Sequence, residues 1–348
     1  MFFPFRRPST APAAPPPELA HRREKCPISR VRLRTGTLEP WLLVKYRDAV
    51  QVLQTGDDGT AWSKDRRRSG YPEISPVAPA ALSSPTFVYL DEPDRHHDRA
   101  AIDRLLSPEN IDRGWPGLVH KVVNALLDRL SGRPSVDIHA EFGLRVPVYI
   151  IYTLLGAPEA DLEQLTQWAT ANLRPKVPAT EIAIAQQNLL AYLTRLIDQR
   201  RLEPRNDITS QLLAQETSSS GCALETAALL RILTPMTVTA TITHLISYGL
   251  ILLLQERQRE QTTSTLYNQL RLHPDQEDLI PAFVDEVCRL HTSSTVALAR
   301  VATRDVQLGG PATDGGRLVR AGEGILISLQ SANRDEDVFD CPDQIDLC

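Results

Sequence analysis

Between Ile232 and Leu254 the chain carries no Asp, Glu, Lys or Arg and a single histidine, His244. An uninterrupted apolar stretch of that length either crosses a membrane or forms the central helix of a large core. Its many threonines and Pro235 favour the core, where neighbouring groups can satisfy hydroxyls and a freed carbonyl. Taken from Leu224 to Leu254, the run predicts one helix that crosses a whole domain. The rest of the sequence can surround it: the chain has 348 residues, 42% of them hydrophobic, enough for one large core, although length alone allows two domains.

Charge and cysteine usage exclude several classes. A formal charge of −5 from 43 acids and 38 bases gives no general affinity for nucleic acid or acidic surfaces. Five cysteines, Cys26, Cys222, Cys288, Cys341 and Cys348, have neither an even count nor short paired spacing. A disulfide framework or a zinc site is therefore not expected, and a reducing compartment is. The start, MFFPFRRPSTAPAAPPPE, is apolar but broken by prolines, so it reads as a flexible arm over residues 1–24 and not as a membrane segment. Cytoplasmic location is the expectation. Arg6, Arg7 and the lack of acids before Glu18 leave a mitochondrial presequence open.

Periodicity organises the remainder. ISRVRLRTG and PWLLVKY suit short strands, Ala49 to Gln54 a brief helix, and TGDDGTAWSKDRRRSGYPEISP a long loop. Helical spacing follows in Asp94 to Leu106, Trp115 to Leu130, Val136 to Leu155, Ala160 to Leu173 and Glu181 to Arg201. Ser293 to Val306 and Arg317 to Leu329 return to β-branched, glycine-punctuated sequence. One mainly helical domain with a small β-sheet, over residues 25–348, is expected.

Four constellations carry chemistry. Glu286 and Arg289 stand three apart, so a helix puts carboxylate and guanidinium on one face; alone, this is a surface salt bridge. Arg95, His96, His97 and Arg99 alternate with Asp94 and Asp98, which alone reads as a solvated face. Thr241, inside the apolar run, alone reads as a helix threonine bonded to its own backbone. Lys64, Arg66, Arg67 and Arg68 with Asp65 read as a solvated basic loop.

Their order changes the reading. Glu286-Val-Cys-Arg289, then Asn333-Arg334-Asp335, then Phe339 followed by Pro342-Asp343, resembles the cytochrome P-450 pattern. LDEPDRHHDRAAIDRLLSP is similar to that family's Asp-x-Pro helix, whose basic residues reach the heme propionates. The resemblance implies His97, Arg99 and Arg300 as propionate partners, and Thr241 as the threonine handling protons above the iron. Arg95 stands where relatives have histidine. Thr237 and Val238 replace the usual Ala-Gly pair, and the valine narrows the space above the iron.

Within the family, VPVYIIYTLLGAPEADLEQLTQ, SGYPEISP, RLHTSSTVALAR and LVRAGEGILISLQSANRDEDVF resemble the fungal-type nitric oxide reductases. That branch implies heme b, NADH or NADPH as direct donor without an electron-transfer protein, and nitric oxide as a small-molecule substrate. It implies Lys64, Arg66, Arg67 and Arg68 as holders of the dinucleotide phosphates and Ser294, with Thr241, as organisers of water. Ala299 stands where a further basic residue for NADH is expected. The family's axial cysteine lies in a loop after the Pro-Asp segment, so it is expected beyond Cys348, and neither Cys341 nor Cys348 is expected to bind iron. The segments ERQREQTTSTLYNQLR and GPATDGG look like additions. An incomplete chain exposing apolar surface is the expectation. A monooxygenase acting on an organic molecule with a redox partner, and a non-catalytic remnant without heme, are the alternative readings.

Overall fold

The computed structural model describes residues 2–11, 14–34, 38–54, 61–74, 87–174, 176–220, 225–259, 266–272, 278–292, 297–310 and 316–347, with backbone only at 94, 97, 215–220 and 255–259. The chain forms two compact units, Met1–Ala78 with Tyr248–Cys348, and Pro79–Ser247, where the sequence reading had one domain.

The first unit begins with β1 (Phe2–Phe3), α1 (Pro17–Lys25), β2 (Ile28–Arg30), β3 (Arg32–Leu33), β4 (Trp41–Leu43), α2 (Tyr46–Gln54) and β5 (Trp62–Ser63). The expected flexible arm is instead folded. Phe2 and Phe3 pair with Arg32 and Leu33 in parallel. Phe3 and Phe5 meet edge to face at 5.2 Å in a core cluster with Leu19 and Leu33. The aromatic pair supplies the apolar area that the proline count concealed, and Pro17 opens α1 at the position where a missing N–H costs nothing.

The second unit holds α3 (Asp94–Leu105), α4 (Pro108–Leu130), a π-helix at His139–Gly143, α5 (Arg145–Leu155), α6 (Leu162–Ala169), α7 (Ala179–Leu202), α8 (Ile208–Ser220), α9 (Thr226–Met236) and the start of α10 (Ala240–Arg259). Its core gathers Tyr152, Leu155, Leu165, Leu193, Ile197, Leu212, Leu229 and Ile232. The long apolar run is therefore two helices. Pro235 removes a ladder donor, and the Thr237 hydroxyl donates to the Thr234 carbonyl at 2.7 Å, so the last turn of α9 closes on itself before α10 begins. Burial falls on α9, where Leu229, Ile232 and Leu233 are fully enclosed, while Val238, Ile242, Ile251 and Leu254 are exposed. Within Thr226–Leu254, a window of 18 residues reaches a mean hydropathy of 1.7, long and apolar enough by length and composition to cross a membrane.

The chain then returns to the first unit with α11 (Leu266–Leu272), α12 (Leu279–Leu290), β6 (Leu298–Ala302), β7 (Val306–Leu308), β8 (Arg317–Val319), β9 (Gly324–Ile327) and α13 (Leu329–Ala332). A five-stranded sheet has the order β2-β4-β9-β6-β5. Its middle strand β9 pairs parallel with β4 and antiparallel with β6, and all four of its residues are buried. A strand covered on both faces needs continuous apolar sequence, which Gly-Ile-Leu-Ile provides. β7 and β8 form a separate antiparallel ribbon.

Candidate functional site

In the first unit, α12 puts Glu286 and Arg289 on one face, and they form a two-pronged pair with Nε–Oε1 at 2.6 Å and Nη2–Oε2 at 2.7 Å. Arg289 is 9% exposed. It also donates to the carbonyl oxygens of Asn333 (3.0 Å), Pro342 (2.7 Å) and Gln344 (2.7 Å). The pair is thus a buried clamp that ties the helix to the segment after α13, not a surface bridge. Burial pulls the Glu286 carboxyl up, but Arg289 and the Asp346 amide outweigh it and hold it below its ordinary value.

Arg334 extends the clamp, donating to the Leu290 carbonyl at 2.7 Å and to Asp343 at 2.9 Å. Beside it, His291 stacks on Tyr248 at 4.1 Å. Burial, with Arg334 and Arg7 nearby, pulls the imidazole down to about 4, so His291 is a neutral packing group.

The basic loop is ordered by acids. Arg66 is paired with Glu73, with one contact at 3.0 Å, and Arg67 with Asp65 at 2.7 Å. Lys64 is 9% exposed, whereas Arg67 and Arg68 face solvent. Arg67 holds Asp65 below its ordinary value. Arg300 lies half-buried on β6, and its Nη1 donates to the Ala299 carbonyl at 2.9 Å.

In the second unit, Arg99 is exposed and pairs with Asp103 one turn along at 2.7 Å. Asp98, expected on the same solvated face, is instead 1% exposed and accepts from Arg231 of α9 at 3.0 and 3.2 Å. α3 therefore turns that carboxylate inward, where a guanidinium fork satisfies it. His97 lies in α3, its side chain outside the described residues, and Ser294 is wholly outside them. Thr241 sits in the first turn of α10, exposed. The site residues thus divide between the units, and the described pairing among them is Glu286 with Arg289.

Two observations bear on a heme. Thr241 and Ile242 are exposed in the first turn of α10, Ile242 at 53%, and Val238 in the junction just before it is exposed at 63%. An exposed apolar surface with one hydroxyl suits the face of a flat macrocycle. Among the described cysteines, Cys288 is half-buried and burial together with Asp285 pushes its thiol up, the opposite of a thiolate ligand. The residues present thus fit the group on the side of Thr241, and none of the described cysteines is assigned beneath it.

A cavity of about 180 Å³ lies in the second unit. α6, α7 and the α9 to α10 junction line it, with Trp168, Asn172, Gln186, Leu190, Thr237 and Val238 among the lining groups. Sequence reasoning passed over Thr239, Thr243, Ser247 and His139, although the hydroxyls recur every four residues through the apolar run.

Comparison with known proteins gives a consistent picture. The family profile for cytochrome P-450 matches residues 185–347. The chain is 37% identical to cytochrome P-450 55A3 of Fusarium lichenicola, covering 99% of this chain and 80% of that one. It is 31% identical to nocardicin C N-oxygenase of Nocardia uniformis subsp. tsuyamanensis, covering 95% and 78%. The crystal structure of GfsF superposes with a TM-score of 0.84 at 26% identity, over 99% of this chain and 82% of that one. MoxA from Nonomuraea recticatena gives 0.83 at 25%, over 100% and 81%.

Proposed function

The chain belongs to the cytochrome P-450 family of heme-dependent oxidoreductases, and from that premise we propose that it reduces nitric oxide to nitrous oxide with electrons taken directly from NADH. The observation that carries the reading is the likeness of the segments VPVYIIYTLLGAPEADLEQLTQ and LVRAGEGILISLQSANRDEDVF to those of nitric oxide reductases. The higher identity to the fungal relative, 37% against 31% for the N-oxygenase, supports it.

The reaction combines two molecules of nitric oxide, one hydride and one proton into nitrous oxide and water. Bound heme would supply the iron that holds and activates the gas. Arg300, Arg99 and His97 would neutralise its propionates, for which a planar guanidinium is well shaped. Lys64, Arg66, Arg67 and Arg68 would hold the dinucleotide phosphates, with Arg67 and Arg68 presented to solvent. Thr241 and Ser294 would keep a water in place for the proton.

The test is product analysis on heme-loaded protein given nitric oxide and NADH. Nitrous oxide formed without any reductase is the expected result. A need for a separate reductase and oxygen would move the assignment to a monooxygenase; the name of the Nocardia relative states an N-oxygenase for that protein. Failure to retain heme on a desalting column would identify a non-catalytic chain.

A further inference from the structure

Within the second unit, α6 and α7 leave a pocket of about 270 Å³ between them. Asp161, just before α6, lines it with Leu165 and Trp168 on one side; Tyr192, Arg195 and Leu196 of α7 line it on the other. The spacings of three, four and seven put each set on one face of its element. The pocket is distinct from the cavity at the α9 to α10 junction, and Trp168 borders both.

The buried part of the lining is apolar, with Leu165 0% and Leu196 2% exposed. Two opposite charges stand above it, both held by Tyr192. The Tyr192 hydroxyl donates to Asp161 Oδ2 at 2.8 Å. Burial, and then this hydrogen bond, hold the phenol well above its ordinary value, so it stays the donor. Asp161 Oδ1 accepts no hydrogen bond among the described residues. Arg195 stands over the face of the same ring, its Cζ 5.8 Å from the centroid. Its guanidinium has neither a hydrogen bond nor an ion pair among the described residues. The ring thus keeps apart a guanidinium and a carboxylate that would pair if they could reach each other.

That arrangement selects a ligand chemistry. A lone anion would sit near Asp161 and a lone cation near Arg195, each against an unfavourable charge. A molecule carrying both charges on neighbouring atoms satisfies both walls at once. The apolar lining asks for an apolar body between or beside those charges. The volume is just below the roughly 300–1,000 Å³ of pockets that hold drug-sized molecules, which is the scale of a small metabolite.

We propose that the pocket between α6 and α7 binds a small apolar α-amino acid, with Arg195 taking its carboxylate, Asp161 its ammonium group, and Leu165 and Leu196 its side chain. A planar guanidinium can hold the carboxylate with two hydrogen bonds. The site stands apart from the reductase reading and holds under either outcome of the product assay. Trp168 reports its occupancy, because its indole is in the lining and those of Trp41, Trp62 and Trp115 are not.

The experiment titrates the full chain with leucine, valine and phenylalanine, followed by calorimetry and by tryptophan fluorescence. Saturable heat with at least one of them, and a parallel change in emission, are expected. Leucine amide and 4-methylpentanoate keep the apolar body and lose one charge each, and should bind at least about tenfold more weakly than leucine. Arg195→Gln and Asp161→Asn should weaken amino-acid binding by about the same factor with native circular dichroism, since Arg195 is exposed and asparagine still accepts from Tyr192. Trp168→Phe should keep the heat and lose the emission change. No saturable heat with any of the three amino acids overturns the proposal. So does equal affinity for the single-charge analogues, equal affinity in the two charge variants, or an emission change that survives in Trp168→Phe.

Discussion

At the scale of single residues, charge burial sets the expected behaviour. Glu286→Gln removes one side of the buried clamp and is expected to cost about 3 kcal/mol, measured by chemical denaturation. The folded Glu286 carboxyl lies below its unfolded value. Its contribution is therefore full above the ordinary carboxylate range and is lost as pH falls through the folded value. Asp48 behaves in the opposite way. It is 0% exposed, its two oxygens lack hydrogen-bond partners among the described residues, and the Arg47 guanidinium stands 4.0 Å away. Burial and then the charge of Asp335 raise its pKa against the pull of Arg47 and Lys45. A raised folded value means that the native state holds the proton more tightly, so this residue destabilises the fold increasingly as pH rises. Asp48→Asn is thus expected to raise the melting temperature at neutral pH by the equivalent of roughly 1 kcal/mol, with the gain vanishing in acid. In turnover, Arg67→Glu should raise the KM for NADH and leave kcat unchanged, the signature of lost uniform binding.

At the scale of elements, helix ends decide more than helix interiors. α5 stops at Gly156, which has φ +99°. A Cβ there would meet Asp207 Oδ2 at 2.3 Å and Arg200 Nη2 at 2.8 Å. The turn is left-handed and also accommodates the buried Arg200–Asp207 pair, whose arginine donates to the Gly156 carbonyl. Gly156→Ala should therefore cost more than about 2 kcal/mol in a melting experiment, exceeding the left-handed penalty alone because the cap and the ion pair are disturbed together. The α9 to α10 break has a comparable origin. A proline followed by β-branched residues at 237–239 stops one helix and starts another, placing Thr237 and Val238 at a cavity wall.

At the scale of the whole molecule, apolar residues left exposed are the main liability. Ile251 and Leu254 on α10, Leu272 on α11, and Ile280 and Val284 on α12 are 44–57% exposed. Large side chains in that number favour self-association. The double variant Ile280→Lys, Val284→Lys is expected to lower light scattering at a given concentration without changing the secondary structure seen by circular dichroism.

The sequence by itself determined the class of fold, because helical and strand periodicities are local properties that survive any arrangement of the elements. It also determined the Glu286–Arg289 pair, because three residues along a helix fix a shared face before anything packs on it. Tertiary structure decided what each group faces. Asp98 reads as surface beside His96 and Arg99, and only the approach of Arg231 from α9 makes it a buried partner. Phe3 and Phe5 look like part of a proline-rich arm until Leu19 and Leu33 come to cover them. The Ser247 hydroxyl lies inside an apolar run, and only the approach of the π-helix gives it His139 as a partner. Burial and partnership are sums over segments distant in sequence, and no single stretch of chain contains them.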